Sequence, residues 1–155
     1  MNFFELLRIA LLALAVPVLI AVSITDIRER RIPNKIMFPA IITAFICALA
    51  LPERWMLLLG GLIGLVMLLI PTIIYGLAKA GGGDIKLALF LGLVLGYPLI
   101  IPALLIAFLS AGLFAAIGIV TVRMTRHATL AFGPFLALGG IVAAVGGYLL
   151  QWGVL

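Results

Sequence analysis

Long apolar runs separated by short polar breaks most constrain the fold of this chain. Of its 155 residues, 66% are hydrophobic and only 10% are charged. A transmembrane helix needs about 20 apolar residues, and in lipid the backbone must satisfy its hydrogen bonds internally. The sequence therefore predicts an all-α, polytopic membrane helix bundle that forms a single domain over residues 1–155.

Six transmembrane spans fit the apolar runs. The second and fourth are short, and the fourth, with fewer than about 17 residues, crosses the membrane alone only if the loop flanking it lies inside the protein. If the break at Tyr97-Pro98 is a kink, spans four and five form one kinked helix, and the bundle has five helices. The six predicted spans are approximately Phe4–Thr25, Ile36–Leu51, Trp55–Ala78, Ile85–Gly96, Leu99–Val122 and Phe132–Trp152.

The basic residues predict the orientation of the bundle. With six spans, eight of the ten Lys and Arg residues fall on one side, and only Arg8 and Arg54 fall on the other. Loops rich in Lys and Arg face the cytoplasm. We therefore expect both termini on the outer side of the inner membrane. The net charge of +5 comes from these orienting residues, so we expect the lipid bilayer as a partner and no nucleic acid.

Two acids lie beside apolar spans, and both fall on the predicted cytoplasmic face. An ionisable group at a membrane span is a functional candidate by default. Each also has a structural explanation: Asp84 as the N-cap of the fourth span, and Asp26 as an i,i+4 partner of Arg30. Together, two carboxylates can share a proton, activate a water and protonate a leaving amine.

Helix ends predict how the pair divides the proton. Asp84 begins a helix, where the helix dipole favours a carboxylate, and Asp26 ends one, where the dipole disfavours it. The sequence therefore predicts that Asp84 is the more acidic partner and that Asp26 holds the shared proton, unless Arg28 or Arg30 near Asp26 reverses this order. The single cysteine, Cys47, belongs to no CxxC pair, and we expect neither a metal nor a cofactor.

Three glycines precede Asp84, namely Gly81, Gly82 and Gly83. Such a run permits backbone angles closed to other residues and close approach by another chain. An extended substrate could then pair with the backbone, as in strand addition. A flexible hinge is the competing interpretation. Phosphate binding is less favoured, because neither a following Lys-Ser or Lys-Thr nor a Rossmann strand pattern is present.

Other residues are predicted to be structural. Asn34 is a plausible N-cap of the second span. The GxxxG pairs Gly60/Gly64 and Gly92/Gly96 favour internal helix packing over a dimer face.

Two motifs resemble those of the type IV prepilin peptidases, which are GxGD aspartyl membrane proteases. Asp26–Asn34 matches the family pattern D-x-R-x-x-x-I-P-N, and Gly81–Leu87 matches G-x-G-D-x-K-L. The segment Phe132–Gly139 is similar to the last span of the family. The resemblance covers nearly the whole chain, and the two motifs in order are far more specific than GxGD alone.

The resemblance implies an endopeptidase that removes the cytoplasmic leader of a prepilin, typically after a glycine. Asp26 and Asp84 match the catalytic pair, and Arg28, Lys86 and the three glycines would bind substrate or shape the site. Longer, bifunctional relatives carry an N-terminal segment, often with paired CxxC motifs, and also N-methylate the pilin. This sequence lacks that segment. We therefore expect proteolysis without methyl transfer, as in short Tad-type peptidases acting on Flp-type prepilins or pseudopilins.

Three other functions are alternatives. A small proton- or ion-coupled transporter would place ionisable groups near mid-membrane, whereas the span centres here lack Asp, Glu, Lys and Arg. A membrane scaffold would not account for the two acids, and a presenilin-like protease has a different first motif. The oligomeric state stays open.

Overall fold

The computed structural model describes residues 2–75, 82–121 and 131–152 as a helical bundle. Three of its helices are long and apolar enough to cross a membrane, over Phe3–Glu29, Arg54–Ile74 and Ile100–Val120. The all-α membrane fold is thus confirmed, whereas the number of crossings and the sides of the termini stay predictions. The described residues form α1 (Phe3–Glu29), α2 (Asn34–Ala50), α3 (Arg54–Tyr75), α4 (Gly82–Leu95), α5 (Ile100–Val120) and α6 (Gly133–Trp152).

The helices α4 and α5 are separate, so the five-helix alternative is wrong. α4 ends at Leu95, and Gly96 follows it with a positive φ of 76°. The Gly96 N–H donates to the carbonyl of Gly92 at 2.8 Å, which closes the last turn. Glycine takes this left-handed conformation without the steric penalty of a Cβ atom. α5 then begins at Ile100.

The short helix α4 lies at the centre of the bundle. It packs against all five other helices, and eight of its fourteen residues are buried. Because its surroundings are protein, it does not need the length that a lipid-facing helix requires.

Glycines allow the helix backbones to approach closely. A Cβ atom on Gly60 of α3 would lie 2.5 Å from the carbonyl oxygen of Gly92 in α4. One turn further along, a Cβ on Gly64 would overlap the carbonyl of Ala88, and Gly139 of α6 is pressed against α5 in the same way. The prediction that these small residues serve internal packing is confirmed.

The outer surface of the bundle is apolar, as contact with lipid requires. Large side chains such as Leu109 and Ile74 are about 70% exposed. Soluble proteins rarely leave contiguous apolar surface of this kind uncovered.

The bundle has two ends with different residues. The aspartate end holds Asp26, Asp84 and Gly133, and the opposite end holds Arg8 and Glu53. Arg8 and Asp26 both belong to α1, and eighteen residues of helix span about 27 Å. That distance is close to the thickness of the hydrocarbon core of a bilayer, about 30 Å.

Candidate active site

Asp26 lies in the last turn of α1. The helix continues to Glu29, beyond the predicted end of the first span at Thr25. It ends because Arg30 adopts a left-handed conformation with φ 51°, and the Arg30 N–H donates to the carbonyl of Asp26 at 2.9 Å. Asp26 is therefore held on a helical backbone, and its side chain is buried, with 5% exposed.

The first residue of α6 binds Asp26 directly. The backbone N–H of Gly133 donates to Asp26 Oδ2 at 2.8 Å, in a buried hydrogen bond. A Cβ atom at residue 133 would lie 2.8 Å from the same oxygen. The N-terminus of a helix, with its unpaired N–H groups and positive dipole end, favours a carboxylate. Asp26 thus acts as a capping group for α6.

Sequence reasoning missed the role of Gly133. In the sequence, the segment that contains Gly133 supports only the family resemblance, although Gly133-Pro134 is a recognisable helix start. Proline has no N–H, so Gly133 supplies the donor, and the lack of a side chain leaves room for Asp26. What the pattern does not indicate is which of the acids receives that donor.

Asp84 lies in the first turn of α4, before its buried apolar stretch, rather than at an N-cap. Burial, together with the negative charge of Asp26, raises the pKa of the Asp84 carboxyl from its ordinary value of 3.8 to about 7. The two carboxylates therefore interact electrostatically across α1 and α4. This interaction is what a proton-sharing pair requires.

The pKa of Asp84 does not follow the predicted division of the proton. The sequence predicted Asp84 as the more acidic partner, yet the pKa of Asp84 is raised to about 7. Two effects outweigh the dipole argument. Asp84 loses water through burial, and the negative charge of Asp26 disfavours a second negative charge beside it. The Asp84 carboxyl, with a pKa of about 7, is therefore partly protonated near neutral pH.

The glycine run that precedes Asp84 lies partly in a helix. Gly81 lies outside the described residues, and Gly82 and Gly83 are part of the helix α4, not extended chain. Gly83 is needed for close approach, since a Cβ there would lie 2.6 Å from the Cβ of Ile32. Among the described residues, no atom lies within 4 Å of where a Cβ of Gly82 would be, so none of them covers α4 at this point.

Lys86 joins two helices at the aspartate end. Its Nζ donates to Oδ1 of Asn34 at 2.7 Å and lies 4.8 Å from the centre of the Phe38 ring. The prediction that Asn34 caps α2 is wrong, because the N-cap residue is Pro33 and no side chain caps the helix. Asn34 instead receives Lys86, which fixes the start of α4 against α2.

Residues 13–117 match the model of the type IV leader peptidase family. The chain belongs to this family. A prepilin leader peptidase/N-methyltransferase from Bacillus subtilis (strain 168) is 34% identical over 131 residues, which are 83% of this chain and 52% of the relative. The chain therefore spans about half the length of that curated relative. No solved structure matches this chain. The family resemblance inferred from the two motifs is confirmed.

In this member of the leader peptidase family, the structure brings only some of the predicted site residues together. Asp26 and Asp84 interact electrostatically with each other, whereas Lys86 contacts Asn34 of α2. Arg28 is exposed in the last turn of α1 and, within the described ranges, makes no ion pair with either aspartate. Among those same residues, no group of three or more His, Cys, Asp or Glu could hold a metal ion.

Proposed function

We propose that this chain is an aspartyl endopeptidase that removes the leader of prepilins or pseudopilins at the cytoplasmic face of the inner membrane. The observation that supports it most is the electrostatic interaction between Asp26 and Asp84 in a chain of the leader peptidase family. The family match also favours a peptidase over the transporter alternative.

In the proposed mechanism, the two carboxyl groups have unequal roles. Ionised Asp26 takes a proton from a water molecule while the water oxygen attacks the scissile carbonyl carbon. Protonated Asp84 donates a hydrogen bond to the carbonyl oxygen, which becomes negative in the tetrahedral intermediate. The C–N bond then breaks, and the leaving amine receives a proton from the pair. Water is thus divided between the new carboxylate and the new amine, and the pair returns to its starting state.

The proposed substrate is a Flp-type prepilin or pseudopilin, cut after a glycine at the end of its leader. Such a substrate is a membrane helix with a short basic leader, so its cleavage site would lie at the membrane surface. The side of α4 at Gly82, which no described residue covers, would receive the substrate backbone. The exposed Arg28 is free to contact the leader or the lipid headgroups near it.

The test is leader cleavage by the purified protein in vesicles, with a Flp-type prepilin as substrate. We expect Asp26→Asn and Asp84→Asn each to lower the rate by at least about 10²-fold, the usual contribution of a general acid or base. Glu29→Gln is the matched control, because Glu29 is an exposed acid three residues from Asp26. Cleavage that survives either aspartate substitution would end the proposal.

The prediction that methyl transfer is absent is tested on the same products. With S-adenosylmethionine added, the new N-terminus is expected to keep the mass of an unmodified amine. An increase by one methyl group, measured by mass spectrometry, would contradict that prediction.

A further inference from the structure

A cavity of about 330 Å³ lies at the end of the bundle opposite the aspartates. It is bordered by Arg8 of α1, by Glu53 and Leu57 at the start of α3, and by Tyr97 and Leu99 between α4 and α5. Arg8 is about 27 Å along α1 from Asp26, so the cavity is separate from the peptidase site. Its volume lies within the range of small-ligand sites.

Arg8 at this cavity has unused hydrogen-bonding capacity. Its Nη2 donates to the carbonyl of Leu95, the last residue of α4, at 3.2 Å. In the part of the chain that the structure describes, its Nη1 is buried and has no hydrogen-bond partner. Buried polar atoms nearly always have a partner, and a guanidinium prefers an oxyanion. The unsatisfied Nη1 therefore indicates a bound anionic group next to Arg8.

Glu53 adds the opposite charge to the same cavity. It is exposed, and it is close enough to interact electrostatically with Arg8 without supplying the missing partner of Nη1. A site with one guanidinium and one separate carboxylate is complementary to a ligand with an anion and a cation a few bonds apart. Met56, Leu57 and Leu99 make the remaining wall apolar.

We propose that this cavity binds a phosphoethanolamine group, the headgroup of phosphatidylethanolamine. The phosphate would accept hydrogen bonds from Arg8, and the ammonium would donate to Glu53. The cavity lies near the starts of α1 and α3, two helices long and apolar enough to cross a membrane, and lipid headgroups would lie at that depth. Trp55 and Phe3, at the starts of α3 and α1, are 73% and 70% exposed there, as aromatic residues at a membrane surface are.

Lipid retention by the purified full-length protein, measured by native mass spectrometry, tests the proposal. The probes are phosphatidylethanolamine and phosphatidylcholine with identical acyl chains, because choline has no N–H donor for Glu53. The wild type is expected to retain phosphatidylethanolamine about tenfold better, a difference that corresponds to one charge-assisted hydrogen bond. Equal retention of the two lipids by the wild type would overturn the proposal.

Three variants assign the contacts. Arg8→Gln is expected to lose retention of both lipids, and Glu53→Gln to retain both equally. Arg54→Gln is the matched control, since Arg54 is an exposed basic residue beside Glu53 that stacks on Trp55 and does not border the cavity. It should retain phosphatidylethanolamine as the wild type does. An unchanged lipid preference in Glu53→Gln would contradict the proposal. Because this variant keeps the Arg8–Leu95 hydrogen bond, it tests the proposal even if Arg8→Gln fails to fold.

Free ligands distinguish a lipid from a soluble compound with the same group. Displacement of phosphatidylethanolamine by free phosphoethanolamine, but not by inorganic phosphate, supports recognition of the group itself. Displacement by neither supports a lipid held also by its acyl chains. Equal displacement by inorganic phosphate would contradict the role of Glu53.

Discussion

Asp26 and Asp84 have different surroundings although they interact with each other. Asp26 is buried and accepts a hydrogen bond from the first N–H of α6. Asp84 is partly buried, and the loss of water together with the charge of Asp26 raises its pKa to about 7. In the proposed mechanism, the neighbours of the two carboxyl groups, rather than their own positions in a helix, would make one a base and the other an acid.

Substitution of Gly133 tests how Asp26 is positioned. Gly133→Ala places a methyl group 2.8 Å from Asp26 Oδ2, so the carboxylate must move. We expect kcat/KM for leader cleavage to fall by about 10²-fold, the effect of an ångström-scale displacement at a reacting group. Gly146→Ala in the same helix is the control, because its Cβ meets nothing within 4 Å. Equal activity of the two variants would show that Gly133 does not position Asp26.

The raised pKa of Asp84 makes stability depend on pH. The folded protein holds this proton up to about pH 7, whereas the unfolded chain releases it near pH 3.8. The stabilisation is therefore complete below pH 3.8 and is lost as the pH rises through about 7. Asp84→Asn cannot ionise, so its Tm relative to the wild type is expected to be higher at about pH 8.5 than at about pH 5. An identical Tm difference at both values, as expected for the Glu29→Gln control, would contradict the assignment.

Secondary structure was more predictable than the contacts between helices. The apolar runs predicted the helices to within a few residues of their described ends, because the runs and their polar breaks are local features. The central position of α4, and the inclusion of Gly82 and Gly83 in it, were not predictable. Both depend on packing against helices that are distant in sequence, such as the contact of Gly83 with Ile32. The pairing of Lys86 with Asn34 was missed for the same reason.

The contact between α3 and α4 can be tested with two glycines. Gly92→Ala would force a methyl group into the backbone of Gly60, and we expect it to lower the free energy of unfolding by about 1–3 kcal/mol. Gly112→Ala, in α5, meets nothing within 4 Å and should raise it by about 0.5–1 kcal/mol through the better helix propensity of alanine. Denaturant unfolding in detergent measures both. Equal effects would mean that close α3–α4 contact does not matter for stability.

At the scale of the whole molecule, the aspartate end and the cavity at Arg8 are separated by the length of the helices. The aspartate end carries the two matched motifs, and the sequence predicted this part of the site because motif residues are local and specific. The share of α6 in it was not predicted, since Gly133 is 107 residues from Asp26. The sequence does not indicate the cavity at Arg8 either, because it marks Arg8 only as one of two basic residues predicted on the outer side.

Cysteine labelling tests the predicted orientation. In a Cys47→Ala background, Glu53→Cys and Arg31→Cys each place a thiol on an exposed residue, at opposite ends of the bundle. The positive-inside distribution predicts that a membrane-impermeant maleimide labels residue 53 in intact spheroplasts and residue 31 only after permeabilisation. The reverse pattern would place the aspartates outside.

The pH dependence of leader cleavage tests the central claim most directly, namely that Asp26 and Asp84 form one proton-sharing site. The account requires Asp84 to be protonated, so kcat/KM of the wild type should fall as the pH rises through about 7. The substrate is a Flp-type prepilin, and its integrity and the folding of the enzyme are controlled at each pH. A rate that stays constant from about pH 6 to about pH 9 would contradict a protonated Asp84 in the reaction.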